Sequence, residues 1–481
     1  MPISALPSPY GIGCFSAEAY RFADLMAEAG QRVWQILPLC PTSLGDSPYQ
    51  SPCSFGGNPY FIDLGALVGE GLLIEDELPR GEWGERIDYK AVFETRYPAL
   101  RRAYERFLRR EMPWDYGAFL AENCHWLEDH ALFMAIKNKY SVSLWDFPEP
   151  LRKRDPVAMS EARRELWREM GFYKFLQYEF FKQWRALRDY AGSKRIKIIG
   201  DMPIYVSADS SDVWASPELF ELDGEGRPVY VAGCPPDAFS PKGQLWGNPV
   251  YKWQAHKNDD FRWWRARIGQ MLSMYDLVRI DHFRGFDAYY SIAYGAEDAT
   301  DGIWRTALGE ELFSALGNTV CADRIIAEDL GFMTDGVRRL LSECGFSGMK
   351  ILQFGFEGDA EHMPYNYPEN SVVYTGTHDN PTLCGWLDRL DKDQRARMEK
   401  YMCDVSRDRE TLAAHLIALA MQSPSRFCVI PMQDYLLLGD EGRMNIPSSQ
   451  SGNWSWRMRG QDLRWEIFAR IREFTDIGGR L

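Results

Sequence analysis

Six acidic residues stand at or just beyond the ends of short, mostly apolar runs: Asp201 after KIIG, Asp281 after LVRI, Glu328 and Asp329 after RIIA, Asp379 after YTGTH, and Asp434 after VIPMQ. A lone acid in such a place is usually a helix cap or a solvated charge. Acids behind several successive runs are another matter, because the strands of a parallel βα barrel deliver their C-terminal ends to one mouth. Three carboxylates at one centre suit cleavage of a glycosidic bond. One stays ionised as nucleophile, and a second starts protonated and acts as acid, then base. Arg279 lies two residues before Asp281, on the same strand face. Its charge is therefore expected to lower the Asp281 pKa and hold that group ionised. Burial and nearby negative charge are expected to raise Glu328. His378 precedes Asp379, a pairing suited to gripping sugar hydroxyls. Other chemistries find less support. The seven histidines, at 125, 130, 256, 282, 362, 378 and 415, are scattered and make no metal-ligand pattern. No GxSxG, P-loop or strand-linked GxGxxG is present, and the GIG at 11–13 reads as a turn.

The elements that would position these groups alternate between strand and helix. Seven β-rich runs are bounded by Gly, Pro or charge, at Arg32–Leu39, Arg195–Ile204, Leu277–Phe283, Arg324–Leu330, Gly348–Phe354, Ser371–Gly376 and Phe427–Asp434. Helical periodicity fills Ser16–Gly30, Phe261–Tyr275 and Thr334–Gly345. Strand alternating with helix predicts a parallel sheet with right-handed crossovers. The expected fold is an α/β (β/α)8 TIM barrel forming one catalytic domain over 1–481, with its eighth strand at the stub Pro2–Leu6. Insertions are expected at about 60–190 and 380–425, both helical. Residues 205–250, rich in Pro, Gly, Ser and Asp, are expected to form a long lid loop.

Bulk properties agree with such an enzyme. The 481 residues are 45% hydrophobic and 26% charged, enough for a large core. A net charge of −14 argues against a nucleic-acid surface. Ten cysteines without a CxxC pair read as buried thiols in a reducing compartment. The N-terminus lacks the pattern of a signal peptide, and no apolar run reaches the roughly 20 residues of a membrane helix. A cytoplasmic location without membrane contact is expected. Aromatics at 14% supply platforms for the apolar faces of sugar rings, although they also fill cores.

Longer motifs carry a specific resemblance. WQILPL (34–39), GDSPYQSPCSFGGNPYFID (45–63), GDMPIYVSADSSDVW (200–214), PPDAFSPKGQLWGNPVY (235–251), RIDHFRGF (279–286), AEDLG (327–331) and YTGTHDN (374–380) span nearly the whole chain, from LPSPYGIG at 6–13 to NIPSSQSGNWSWRM at 445–458. The sequence closely resembles the amylomaltases, 4-α-glucanotransferases of glycoside hydrolase family 77. That resemblance implies a retaining transfer of α-1,4-glucan segments from a maltooligosaccharide or glucan donor to glucose or another glucan, without metal or organic cofactor. It implies Asp281 as nucleophile, Glu328 as acid/base and Asp379 as transition-state stabiliser. Tyr49, Asp201, Arg279 and His378 would contact the sugar at the cleavage centre. Asp237, Phe239, Gln244 and Trp246 would face the glucan from the lid. Asn445, Pro447 and Trp454 are assigned structure rather than chemistry. Family members usually have more residues before LPSPYGIG, so the first strand is either assigned a late start or shortened to Pro2–Leu6. An α-glucan hydrolase on the same barrel, or a non-catalytic glucan-binding protein, are the alternatives.

Overall fold

A computed structural model covers the chain and describes every residue except 82, 237–239, 318, 319, 404–407, 448 and 450. Along the described residues run the strands β1 (Val33–Gln35), β2 (Lys197–Met202), β3 (Tyr230–Cys234), β4 (Gln244–Pro249), β5 (Leu277–Ile280), β6 (Ala288–Ala293), β7 (Ile303–Thr306), β8 (Ile325–Ala327), β9 (Gly348–Ile351), β10 (Ser371–Tyr374) and β11 (Phe427–Val429).

Seven of these are the expected runs, and all seven pair in parallel. One ladder is β1-β2-β5-β8 and another is β11-β10-β9. A parallel bridge between Ile326 and Ser347 joins them. Most of these strands are buried on both faces, as parallel strands flanked by helices must be. Their inward residues meet in one apolar cluster of Ile199, Leu277, Ile326, Met349, Ile351, Val372 and Tyr374, with Val33, Phe427 and Val429 against it. Every parallel strand contributes, so the cluster is the packed inside of a barrel. Two residues further along the same faces stand Asp201 beyond Ile199, Arg279 beyond Leu277 and Glu328 beyond Ile326. The lower layer is thus apolar and the next layer is charged. The Tyr374 hydroxyl donates to Gln35 Oε1 at 2.8 Å, tying β10 to β1.

The eighth strand expected at Pro2–Leu6 is not there. Ile3–Ala5 is a 3-10 turn, and the Ala5 and Leu6 amides donate to Pro2 and Ile3 within the turn itself. Pro2 and Pro7 bracket this stretch and have no amide to offer a ladder. The N-terminus still docks on β1, with the Met1 amino group donating to Gln35 O and Trp34 Nε1 donating to Met1 O.

A second correction concerns 205–250. This stretch contains β3 and β4, which join β6 and β7 in an antiparallel sheet of order β4-β3-β6-β7. Gly and Pro, which favour a loop in sequence, here serve close strand contact. A Cβ on Gly233 would lie 2.1 Å from Gln244 O across the pair. This annex grows from the ends of barrel strands, with β6 following β5 almost directly. Helices occupy most of 60–190, including Tyr89–Phe107, Cys124–Tyr140 and Trp167–Ser193. Residues 380–425 carry Leu383–Leu387, Lys392–Met402 and Arg409–Met421.

Candidate active site

Strand register builds the centre. Asp201 of β2 is the ladder partner of Arg279 of β5. Arg279 Nη1 donates to both Asp201 oxygens, at 2.7 and 2.9 Å, and to Asp281 Oδ1 at 3.0 Å. Its Nη2 lies 3.8 Å from Glu328 Oε2. One buried guanidinium therefore touches three carboxylates on three adjacent strands. The backbone fixes two of them. The Asp281 amide donates to Met202 O and the Glu328 amide to Ile280 O, each at 3.0 Å. His282 then adopts a left-handed conformation (φ 50°, ψ 49°), which turns its amide onto Glu328 Oε2 at 2.5 Å.

The groups differ in access. The Asp201 side chain is 1% exposed, Glu328 14%, Asp281 26% and Asp379 46%. Asp201 therefore orients, whereas Asp281, Glu328 and Asp379 can meet a substrate. Burial pushes the Asp281 carboxyl up to about 6 against the opposing pull of Arg279. Burial pushes Glu328 up to about 8, with Arg279 opposing and Asp281 adding to the rise. The expectation that Arg279 would lower Asp281 outright is thus corrected. The arginine's single charge is shared among three acids, and desolvation outweighs the share that reaches Asp281. The ordering needed for acid and nucleophile is nevertheless present, since the proton resides on Glu328 before it resides on Asp281.

Across the mouth, the loop after β10 carries His378 and Asp379. His378 Nε2 lies 3.3 Å from Asp379 Oδ2. Tyr49 stacks on the His378 ring at 5.2 Å and 21°, and its hydroxyl donates to Asp201 Oδ2 at 2.7 Å. Tyr49 thus links the two sides. Trp246 of β4 meets the His282 ring edge-on at 4.9 Å, and its Nε1 donates to Gln244 Oε1. Asp237 and Phe239 lie outside the described residues. Asp329 and Asp434, two of the strand-end acids, turn away from the centre. Asp329 accepts the Met349 amide, and Asp434 accepts from Thr375 and Leu383.

Other residues at the centre carried no local signal. Asn445 Nδ2 donates to Asp379 Oδ1 at 2.6 Å, and Arg443 Nη2 donates to Asp379 O at 2.7 Å. Trp454 packs 5.6 Å from both Tyr49 and His378. Asn445 and Trp454, assigned structure alone, thus touch the expected site residues Asp379, Tyr49 and His378. His282 sits beside Asp281 with its buried Nε2 lacking a hydrogen-bond partner among the described residues, and burial lowers its ring to about 3, so it is neutral.

This geometry has known counterparts. The family model described as 4-alpha-glucanotransferase, of glycoside hydrolase family 77, matches residues 1–463. A 4-alpha-glucanotransferase of Thermus thermophilus is 44% identical over 99% of this chain and 97% of its own length. One from Aquifex aeolicus is 44% identical over 99% and 98%. The solved amylomaltase of Streptococcus agalactiae, in complex with acarbose, superposes with a TM-score of 0.96 at 42% identity, covering 100% of this chain and 98% of that one. The fold is therefore the (β/α)8-type barrel of the amylomaltases, and the chain belongs to the 4-alpha-glucanotransferases of glycoside hydrolase family 77.

Proposed function

We propose that this protein is a 4-α-glucanotransferase acting by retaining double displacement, with Asp281 as nucleophile, Glu328 as acid/base and Asp379 as transition-state stabiliser. The observation that carries this reading is the single guanidinium of Arg279 against Asp201, Asp281 and Glu328. Both carboxyls face one cation at the ends of adjacent strands, which supports a paired-carboxylate glycosidic centre. In the first half-reaction, the Glu328 carboxyl gives its proton to the glycosidic oxygen. The Asp281 carboxylate attacks C1, forming a glycosyl ester as the leaving chain departs. In the second half-reaction, the 4-hydroxyl of an acceptor glucan attacks C1, Glu328 takes its proton, and the ester bond breaks. The charge developing on the ring is oxocarbenium-like, and Asp379 faces it with His378 gripping hydroxyls. Tyr49 offers a ring face to the same sugar. Gln244 and Trp246 hold the glucan from the annex side, Asp237 and Phe239 are glucan contacts by resemblance alone, and an aromatic cover of this kind favours a bound sugar acceptor over water.

The donor is a maltooligosaccharide or α-glucan, and the acceptor is glucose or a second glucan. Ten cysteines, none in a disulfide among the described residues, support a reducing, cytoplasmic location, and no described helix is long and apolar enough to cross a membrane. Incubation with maltotriose is expected to give glucose plus a ladder of longer maltooligosaccharides. Steady release of reducing ends without longer products would instead identify a hydrolase, and binding without any product a non-catalytic protein.

A further inference from the structure

The loop that carries His378 and Asp379 has no ladder of its own. It leaves β10 at Thr375 and ends where the short Leu383–Leu387 helix begins. Within it, the Thr377 amide and hydroxyl donate to Asn380 Oδ1, Thr377 accepts the Asp379 and Asn380 amides, and Gln353 Nε2 reaches Pro381 O at 3.1 Å. Its two ends converge on one group. Thr375 Oγ1 donates to Asp434 Oδ2 at 2.6 Å, and the Leu383 amide donates to Asp434 Oδ1 at 2.7 Å. Asp434 is 1% exposed, sits just beyond β11, and lies in the wall of a cavity of about 90 Å³ that Arg279, His378 and Arg443 also line.

We infer that Asp434 is a positioning residue for the transferase reaction: by clamping both ends of the 375–383 loop, it fixes where Asp379 and His378 meet the sugar. The inference rests on the functional reading above. The carboxylate is well suited to the task, because its two oxygens are rigidly spaced and each takes one end of the loop. Burial pushes its carboxyl up to about 6, a cost that a purely structural position would escape with an apolar residue. An amide could replace it, with its oxygen accepting the Leu383 amide and its nitrogen donating to the Thr375 hydroxyl, which can reverse its role. An alanine could not.

The test is a double-mutant cycle on maltotriose disproportionation. Asp434→Ala is expected to lower kcat about 30-fold, with KM changed less than about threefold, and Thr375→Val to lower it about fivefold. Asp434→Asn is expected to stay within about threefold of wild type. In an Asp379→Asn background, Asp434→Ala should cost less than about threefold, because the group it positions is already disabled. Equal losses in both backgrounds, or a rise in KM at unchanged kcat, would overturn the clamp. If Asp434→Ala is not recovered folded, Thr375→Val and Asp434→Asn across the same two backgrounds decide the question on the same criteria. Wild-type kcat in Asp379→Asn alone would instead remove Asp379 from the reaction and sink the functional reading, not the clamp.

Discussion

The two sides of the barrel mouth hold their functional groups by different means. On the β2-β5-β8 side, three carboxylates crowd one buried arginine, and charge sets both position and protonation. On the β10-β11 side, Asp379 and His378 ride a loop held by hydrogen bonds from Asn445 and Arg443 and by hydrogen bonds that it donates to Asp434. The first side must have two acids with separated proton affinities, which only burial and a shared cation provide. The second is placed by directed hydrogen bonds more than by charge. The contrast predicts that substitutions on the first side move pH dependence, and substitutions on the second move kcat alone.

The largest effect tests the charged side. Asp281→Asn should lower transfer at least about 10⁴-fold, because the covalent path is lost. A variant retaining a tenth of wild-type activity would remove Asp281 from the nucleophile role. Next is Arg279→Gln, which leaves three buried carboxylates without a counter-charge and should lower kcat about 10³-fold with a clear fall in Tm. In wild type, kcat/KM should be bell-shaped, with limbs near 6 and 8. Below the lower limb the Asp281 cluster is protonated and cannot attack, and above the upper limb Glu328 has no proton to give. Arg279 opposes both rises, so its loss should carry both limbs to higher pH. Unmoved limbs would break the comparison. Asn445→Ala, on the other side, should lower kcat about tenfold with the limbs in place. A shifted limb there would show that the two sides are electrically one.

The smallest effect concerns stability. Glu328 has a folded pKa above its unfolded value, so the folded state binds the extra proton and stability falls as pH rises from about 4.5 to about 8. Glu328→Gln removes that penalty. Its Tm should exceed that of wild type by about 1–3 °C at pH 8, with the gap closing toward pH 4. A Tm equal to wild type across that range would mean that the carboxyl is less desolvated than its surroundings indicate.

What was legible in sequence follows the same division. The seven parallel strands announced themselves because strands buried on both faces must be short apolar runs. Arg279 and Asp281 could be placed on one face because strand period is two. The annex strands were hidden, because half-exposed strands containing Gly and Pro, such as QLWGNP, carry no such run. The role of Asn445 was hidden for another reason: its partner Asp379 lies 66 residues away, and only the folded chain brings them together. The pKa of Asp281 misled because sequence shows one arginine beside one aspartate, while the fold makes that arginine serve three acids. Pro2–Leu6 had the composition of a strand, but its Ala5 and Leu6 amides close a 3-10 turn instead of a ladder.

The short path from β5 to β6 has a mechanical consequence. Six residues, 282–287, separate Asp281 from the annex strand that begins at Ala288, and Phe283–Phe286 among them form a fully buried turn. That run has no slack. The annex is thus joined to Asp281 by a short buried tether and not by a long loop. Of the sheet's two inner strands, β3 and β6, only β6 follows that tether, while β4 and β7 form the edges.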